Sequence, residues 1–330
     1  MKYVFKRILN MNFKKMFELI NKINKKSKKN KILLFFDIIF CGLIYQAGYM
    51  DYYLFEFWGL KHKDRKTFMT RGKNNKYIKF FNDKNYNHIF YNKDEFNNKF
   101  YDFLKREFIV LNNNQNEFIK FCKNKKEIIC KPRAGSCGKD IQKINIENKD
   151  LKKIYNSLIN DKLTVIEEVI KQNQKLQKIY PLAVNTLRVI SIFYNNKTNI
   201  VAAYVKFGSK GNFVDNFNSG GMISPVNLKN GVIEFPAVDK NGGVYYKHPY
   251  TNKDIVNFKL PNWNKVIGLV ERIGGIVPQI KMVGWDIAIS ENDAVLIEGN
   301  EFPGHDIYQL PPHRKNNIGM LPIFEKILKI

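Results

Sequence analysis

Arginine is scarce in this chain. Of 55 basic residues among 330, only eight are arginine. Nucleic-acid readers lean on arginine for bidentate contacts to bases and phosphates. A formal net charge of +25 at pH 7 therefore does not by itself mark a nucleic-acid binder, and no nucleic-acid partner is expected. The lysines come with abundant Asn, Ile, Phe and Tyr, residues that AT-rich codons supply. Composition accounts for much of the charge, and a general preference for anionic partners accounts for the rest.

Cysteine and histidine are scarce too. Four cysteines, Cys41, Cys122, Cys130 and Cys137, show no CxxC spacing. That excludes a disulfide-rich secreted scaffold and the usual structural zinc site. Five histidines without an HExxH pattern argue against a zinc hydrolase. Long hydrophobic runs are missing as well. The apolar run 32–47 contains Asp37 and Gln46 and falls short of the roughly 20 residues of a spanning helix. It reads as a buried helix. No small-residue cleavage site follows it, so a signal peptide is not expected, and the expected location is cytoplasmic. Apolar residues as a class are plentiful, at 44%, which excludes intrinsic disorder. The length predicts two or three packed units.

The first 31 residues hold eleven basic residues and one acid, Glu18. Val4, Phe5, Ile8, Leu9, Phe13, Met16, Phe17, Ile20 and Ile23 recur at three- and four-residue steps, the pattern of a basic amphipathic helix. Such a helix either lies on an anionic membrane at the inner face or docks on its own domain with its lysines in water. The aromatic cluster 49–58 offers a docking surface. Residues 60–126 are Lys- and Asn-rich with helical spacing, as in Phe96, Phe100, Phe103 and Leu104, then Phe118, Ile119 and Cys122. From 127 the texture turns to short apolar runs bounded by Gly, Asn and Pro. Strands are predicted at 127–131, 141–144, 164–169, 187–194, 200–207, 232–235, 282–289 and 295–299. Helices are predicted at 262–273 and 321–330. The class is α+β, with expected divisions at 1–58, 59–126, 127–180 and 181–330.

Three motifs carry candidate chemistry. In Ile129-Cys130-Lys131-Pro132-Arg133-Ala134-Gly135-Ser136-Cys137-Gly138 an apolar strand ends in a lysine and opens into a glycine loop. Glycines let backbone N–H groups approach phosphates, and the lysine adds fixed charge. The order is not that of a Walker A loop, and an ordinary glycine hairpin explains it as well. In Val165-Ile166-Glu167-Glu168-Val169 an apolar strand turns polar at its end, where edge backbone groups can read an adenine or simply meet water. The third motif is the most specific: Gly284-Trp285-Asp286 followed by Glu298-Gly299-Asn300. Glu298 and Asn300, two apart on a strand, share a face, and Asp286 can meet them from a neighbouring strand. Oxygen donors without His or Cys suit Mg²⁺ with bound phosphates. Unpaired acids within apolar strands would be costly.

In this order, the motifs resemble the ATP-grasp superfamily, and most closely its sugar-transfer-associated branch found with capsule and surface-polysaccharide genes. Asn185-Thr186-Leu187-Arg188, Val214-Asp215-Asn216 with Ser219-Gly220-Gly221, and His248-Pro249-Tyr250-Thr251 add to the likeness, as does the stretch from Asp51-Tyr52-Tyr53 to Trp58. It covers roughly 40–315. The resemblance implies an ATP-grasp fold, two α+β subdomains clamping ATP, with an N-terminal helical extension. It implies ATP and Mg²⁺ as cofactors. Lys131, and Lys93 in competition with Lys84, would hold nucleotide phosphates under a loop containing Gly135, Ser136 and Gly138. Glu167, Glu168 and Val169 would read adenine. The acid that usually holds the ribose is missing from 171–174, leaving Gln172 or Gln174. Arg188 would bind the transferred phosphoryl group and its acceptor, with Asp215, Asn216, Gly220, Gly221 and His248 lining the acceptor site. Asp286, Glu298 and Asn300 would hold the metal. The implied activity is an ADP-forming carboxylate–amine ligase, the partners being a sugar-linked substrate and an amino acid or other amine. A kinase passing phosphate to a sugar hydroxyl, or a non-catalytic polyanion binder, are the rival readings.

Overall fold

The computed structural model describes residues 12–135, 140–209, 211, 215, 217 and 220–328. The chain divides into two compact units, one of residues 1–80 with 304–330 and one of residues 81–303.

The first unit begins with α1 (Phe13–Ser27), whose Asn12 cap accepts the Lys15 amide. Met16, Leu19, Ile20 and Ile23 form its buried stripe; of the predicted apolar set Met16, Ile20 and Ile23 are buried, Phe13 and Phe17 are exposed, and Val4, Phe5, Ile8 and Leu9 lie outside the described residues. Next, α2 (Lys31–Ile44) is capped by Asn30. The run was expected to be a buried helix, and only one side of it is. Leu34, Ile38 and Cys41 point inward, while Leu33, Phe36 and Phe40 are 69%, 62% and 45% exposed. Asp37, the acid within the run, accepts two hydrogen bonds from Arg65, at 2.7 and 2.9 Å, and one from Tyr52. The aromatic cluster around α3 (Tyr49–Leu54) is the surface on which α1 and α2 pack. Tyr52, Phe55, Phe57 and Trp58 are buried together with α1 and α2 as this unit's core.

The second unit carries two antiparallel sheets. Before them come α4 (Lys93–Lys99) and α5 (Tyr101–Leu104). The smaller sheet is built from β1 (Phe108–Val110), β2 (Glu127–Lys131), β3 (Gln142–Asn145) and β4 (Val165–Glu168), in the order β1-β4-β2-β3. Helices α6 (Gln115–Cys122) and α7 (Leu151–Asn160) cover one face, where Phe118, Tyr155 and Leu158 pack on Ile128, Cys130 and Ile166. Alternation along a strand then sends Lys131 and Glu167 to the opposite face.

After α8 (Gln174–Ile179) comes the larger sheet. Its strands are β5 (Leu187–Tyr194), β6 (Lys197–Phe207), β7 (Met222–Pro225), β8 (Ala237–Asp239), β9 (Val244–Tyr245), β10 (Met282–Ile289) and β11 (Ala294–Asn300). Their order is β11-β10-β5-β6-β7-β8-β9. Helix α9 (Trp263–Ile273) brings Val266, Val270 and Ile273 into the core that holds Leu187, Val189, Val205, Trp285 and Ile287. Arg188, Lys206 and Asp286 alternate with those residues and so share the other face. The predicted strand at 232–235 makes only isolated bridges, Val226 to Ile233 and Val232 to Lys259. At the C-terminus α10 (Leu321–Leu328) belongs to the first unit, where the Leu321 amide donates to Thr67. Among the described residues, no helix is long and apolar enough to cross a membrane.

Candidate active site

The two sheets of the second unit meet across a pocket lined by Lys93, Asn97, Lys131, Gly135, Glu167 and Glu298. Lys93 Nζ donates to the Gly135 carbonyl at 2.9 Å. Burial pulls the Lys93 pKa down, and Lys131 adds to that while Glu298 opposes it. The rival Lys84 lies exposed in a one-turn 3₁₀ helix. Gly135 sits at φ 128°, backbone that disfavours a side chain. Ser136 and Gly138, with the rest of that loop, lie outside the described residues.

Glu167 does not stand free to read a base. Its carboxylate accepts from Arg106 Nε at 2.9 Å, Lys131 Nζ at 2.7 Å and Asn97 Nδ2 at 2.9 Å. Its strand is interior, pairing with Phe108 on one side and Ile129 on the other, so its backbone is spent in the sheet as well. Glu168 is still inside β4, and its carboxylate accepts the Glu107 amide. Val169 is the first residue past the strand. Gln172 is a clamp, not a free ribose ligand. It donates to the Ala183 carbonyl at 2.7 Å and accepts from Asn185 at 3.0 Å. Gln174 is exposed, its amide donating to Glu291.

On the larger sheet a buried charge cluster runs across four strands. Arg188 faces Asp286 in register, and Asp286 faces Glu298. Arg188 grips Asp286 with two hydrogen bonds, from Nε to Oδ1 at 2.5 Å and from Nη2 to Oδ2 at 2.9 Å, leaving Nη1 outside the pair. Lys206 Nζ lies 3.1 Å from Asp286 and 3.9 Å from Asp215. Asp215 also accepts from the Thr186 amide at 2.8 Å and from its hydroxyl. Burial opposes the charge of Asp286, but Arg188 and Lys206 outweigh it and hold its pKa below the carboxylate range. Asp215 and Glu298 are pushed above theirs, by burial first and by the charge of Asp286 as well. Lys131, Arg188 and Lys206 act against that rise at Glu298, and Lys206 and Thr186 act against it at Asp215.

The glycines beside these acids are there for space. A Cβ on Gly284 would come within 3.0 Å of the Arg188 side chain. One on Gly299 would come within 2.8 Å of the Phe90 ring. Between them Trp285 is anchored by Ser191 Oγ at 2.9 Å.

The donor set fits a hard divalent cation. Glu298 lines the pocket beside Lys93 and Lys131, and Asn300, whose Oδ1 accepts the Phe302 amide, keeps a lone pair. Magnesium uses one or two carboxylates and takes its remaining oxygens from phosphates and water. Among the described residues, no group of three or more His, Cys, Asp or Glu is placed to hold a metal ion.

His248 is corrected from an acceptor-site residue to a buried clamp. Its Nε2 donates to the Gly208 carbonyl at 3.0 Å, its Nδ1 accepts the Tyr250 amide, and its ring lies against Tyr180. Burial lowers its pKa, in keeping with a neutral ring. Gly220, at φ 97°, makes a turn, and Gly221 leads into β7. Asn216 lies outside the described residues.

The residue missed from the motifs is Lys206. Its signal was a lone charge inside the apolar strand 200–207, where an unpaired ammonium would be costly. Arg106 was missed too, although it is one of only eight arginines.

A family model described as sugar-transfer associated ATP-grasp matches residues 72–319. The chain belongs to that family. Its motifs had pointed there, and its mixed α+β architecture with two sheets accords with an ATP-grasp protein. No curated protein matches it. Among solved structures it is similar to ATP-grasp ligase PsnB complexed with minimal precursor, at 11% identity and TM-score 0.45, covering 76% of this chain and 63% of that one. D-alanyl-alanine synthetase A from Vibrio cholerae is similar at 14% identity and TM-score 0.41, over 73% of this chain and 60% of that one. An L-amino acid ligase from Bacillus licheniformis is similar at 10% identity and TM-score 0.44, over 73% and 48%. This ATP-grasp chain thus spans less than two thirds of those proteins, and the family match alone carries the assignment.

Proposed function

We propose that this protein is an ATP-dependent, ADP-forming carboxylate–amine ligase. Its substrate would be sugar-linked, in capsular or surface-polysaccharide synthesis, with an amino acid or other amine as the joining partner. The observation that carries the reading is the pocket gathering Lys93, Lys131 and Gly135 beside Glu298. The family's association with sugar transfer supports the substrate class.

Lys93 and Lys131 are assigned to the nucleotide phosphates, where fixed cations in a water-poor site offset developing charge. Gly135 opens the loop, with Ser136 and Gly138, that would exclude water from the transferred group. Backbone from Val169 onward is left to meet the adenine. Asp286, Glu298 and Asn300 would hold Mg²⁺, which when bound offsets charge on phosphate oxygens. The γ-phosphoryl group passes to a substrate carboxylate oxygen as its bond to ADP breaks. Arg188, with Nη1 free of its pair, holds the transferred group. The amine nitrogen then attacks the carbonyl carbon, the C–O bond to phosphate breaks, and the nitrogen loses a proton. Asp215, Asn216, Gly220 and Gly221 are assigned to the acceptor side.

The test is a screen of amines and uronic acids for ADP and free phosphate released in step. Glu298→Gln is expected to lower turnover about 10²- to 10³-fold, and full activity in that variant would overturn the reading. ADP release without free phosphate would instead favour a kinase. Salt-sensitive polyanion binding without any turnover would favour a non-catalytic role.

A further inference from the structure

We propose that α1 and α2 together dock on the surface of an anionic lipid bilayer. The proposal stands independently of the chemistry assigned to the other unit.

On α2 the residues Ile32, Leu33, Phe36, Phe40, Leu43 and Ile44 are all 45% exposed or more. At about 100° per residue they fall within roughly one third of the helix circumference. Leu34, Ile38 and Cys41 lie on the opposite, buried side. The exposed surface continues onto α1. The Phe17 ring stacks on Phe35 at 5.8 Å, Phe35 meets Phe36 edge-on at 5.5 Å, and Phe13 and Phe17 are 44% and 51% exposed. Scattered surface apolar residues are ordinary, but a contiguous face of this kind marks an interaction site.

Charge selects the occupant. Lys14, Lys15, Lys22, Lys25, Lys28 and Lys31 are exposed on and around the same two helices, whose acids are Glu18, exposed, and Asp37, paired with Arg65. A second copy seated on this face would bring lysines against lysines, which is repulsive. A bilayer with anionic headgroups takes both features at once. Apolar side chains enter the acyl boundary, and lysines bend outward to the headgroups. With 15 and 14 residues, these helices suit lying in the interface and are too short to span it.

The test is co-sedimentation of the full chain with two kinds of vesicle, phosphatidylcholine alone and phosphatidylcholine mixed with phosphatidylglycerol. Binding is expected to favour the mixed vesicles about 10-fold or more and to weaken with added salt, since each lysine near the surface contributes about fivefold. The triple variant Leu33→Ser, Phe36→Ser, Phe40→Ser should lose about 10-fold or more of that binding. Lys14→Glu with Lys15→Glu and Lys22→Glu should remove the preference for anionic lipid. All six positions are exposed, and circular dichroism checks that the variants fold. The salt dependence of the unaltered chain tests the proposal without any variant. Absent binding, equal binding to both vesicles, or binding untouched by the triple variant would each overturn it. So would a dimer in sedimentation analysis that Phe36→Ser converts to monomer.

Discussion

At Glu167 one buried carboxylate meets Arg106, Lys131 and Asn97. Burial opposes its charge, yet Arg106 and Lys131 outweigh burial and hold its pKa well below its ordinary 4.5. A depressed carboxylate pKa gives stability that is fully present above the ordinary value and is lost as pH falls toward the folded one. Urea unfolding should therefore show wild-type stability declining below about pH 4.5, in part through this residue. Glu167→Gln should show less of that decline. At neutral pH it should cost about 3–5 kcal/mol, because two buried cations lose their counter-charge. Thiols offer a second residue-scale expectation. Burial pushes Cys41 and Cys130 to about 12 and Cys122 to about 11. The thiolate is the reactive form, so alkylation of these three at pH 8 should await unfolding, as peptide mapping by mass spectrometry would report. Sequence marked Glu167 as notable but misjudged its task. Its partners Lys131 and Arg106 lie 36 and 61 residues away, beyond the reach of any local pattern.

At the scale of elements, β10 and β11 work as a pair whose glycines admit their neighbours. Gly299→Ala would drive a Cβ into the Phe90 ring, backed by Phe96, and should cost about 1–3 kcal/mol in thermal or urea unfolding. Gly284→Ala presses on Arg188 and Pro303 at 3.0 and 3.1 Å. Its main effect should be on turnover, which is sensitive to small displacements of a positioned group. Strands such as β5 and β10 were legible because long apolar runs between polar breaks are a local signal. By contrast, β1 was not legible, since Phe108, Ile109 and Val110 make too short a run. That omission had a consequence. Without β1, β4 looks like an edge whose backbone can read a base, whereas with β1 in place β4 is interior. The helix α2 shows the same limit. Its apolar run was plain, but which face is covered depends on what packs there.

For the whole molecule, residues 304–330 complete the first unit. Gln309 bonds to both the amide and the carbonyl of Met69, and His305 bonds to Asp51. Removing 304–330 should raise hydrogen exchange strongly through 45–69, while strands β5, β10 and β11 keep their protection. Loss of protection there as well would contradict the division into two units. The charge of +25 also takes on a location. Part of it is concentrated near α1 and α2, and the pocket holds two of the basic residues, Lys93 and Lys131.

Helix stripes, strand runs and the order of the motifs could be read directly, because each depends on residues a few positions apart. Family membership followed from that order. The placement of Lys206 between Asp215 and Asp286, the engagement of Glu167 and the clamp at His248 could not be read so. Each depends on strand pairing and on how burial divides charge among groups distant in the chain. The exposed side of α2 belongs with these, since hydrophobicity says that a residue favours leaving water and only packing decides whether it does.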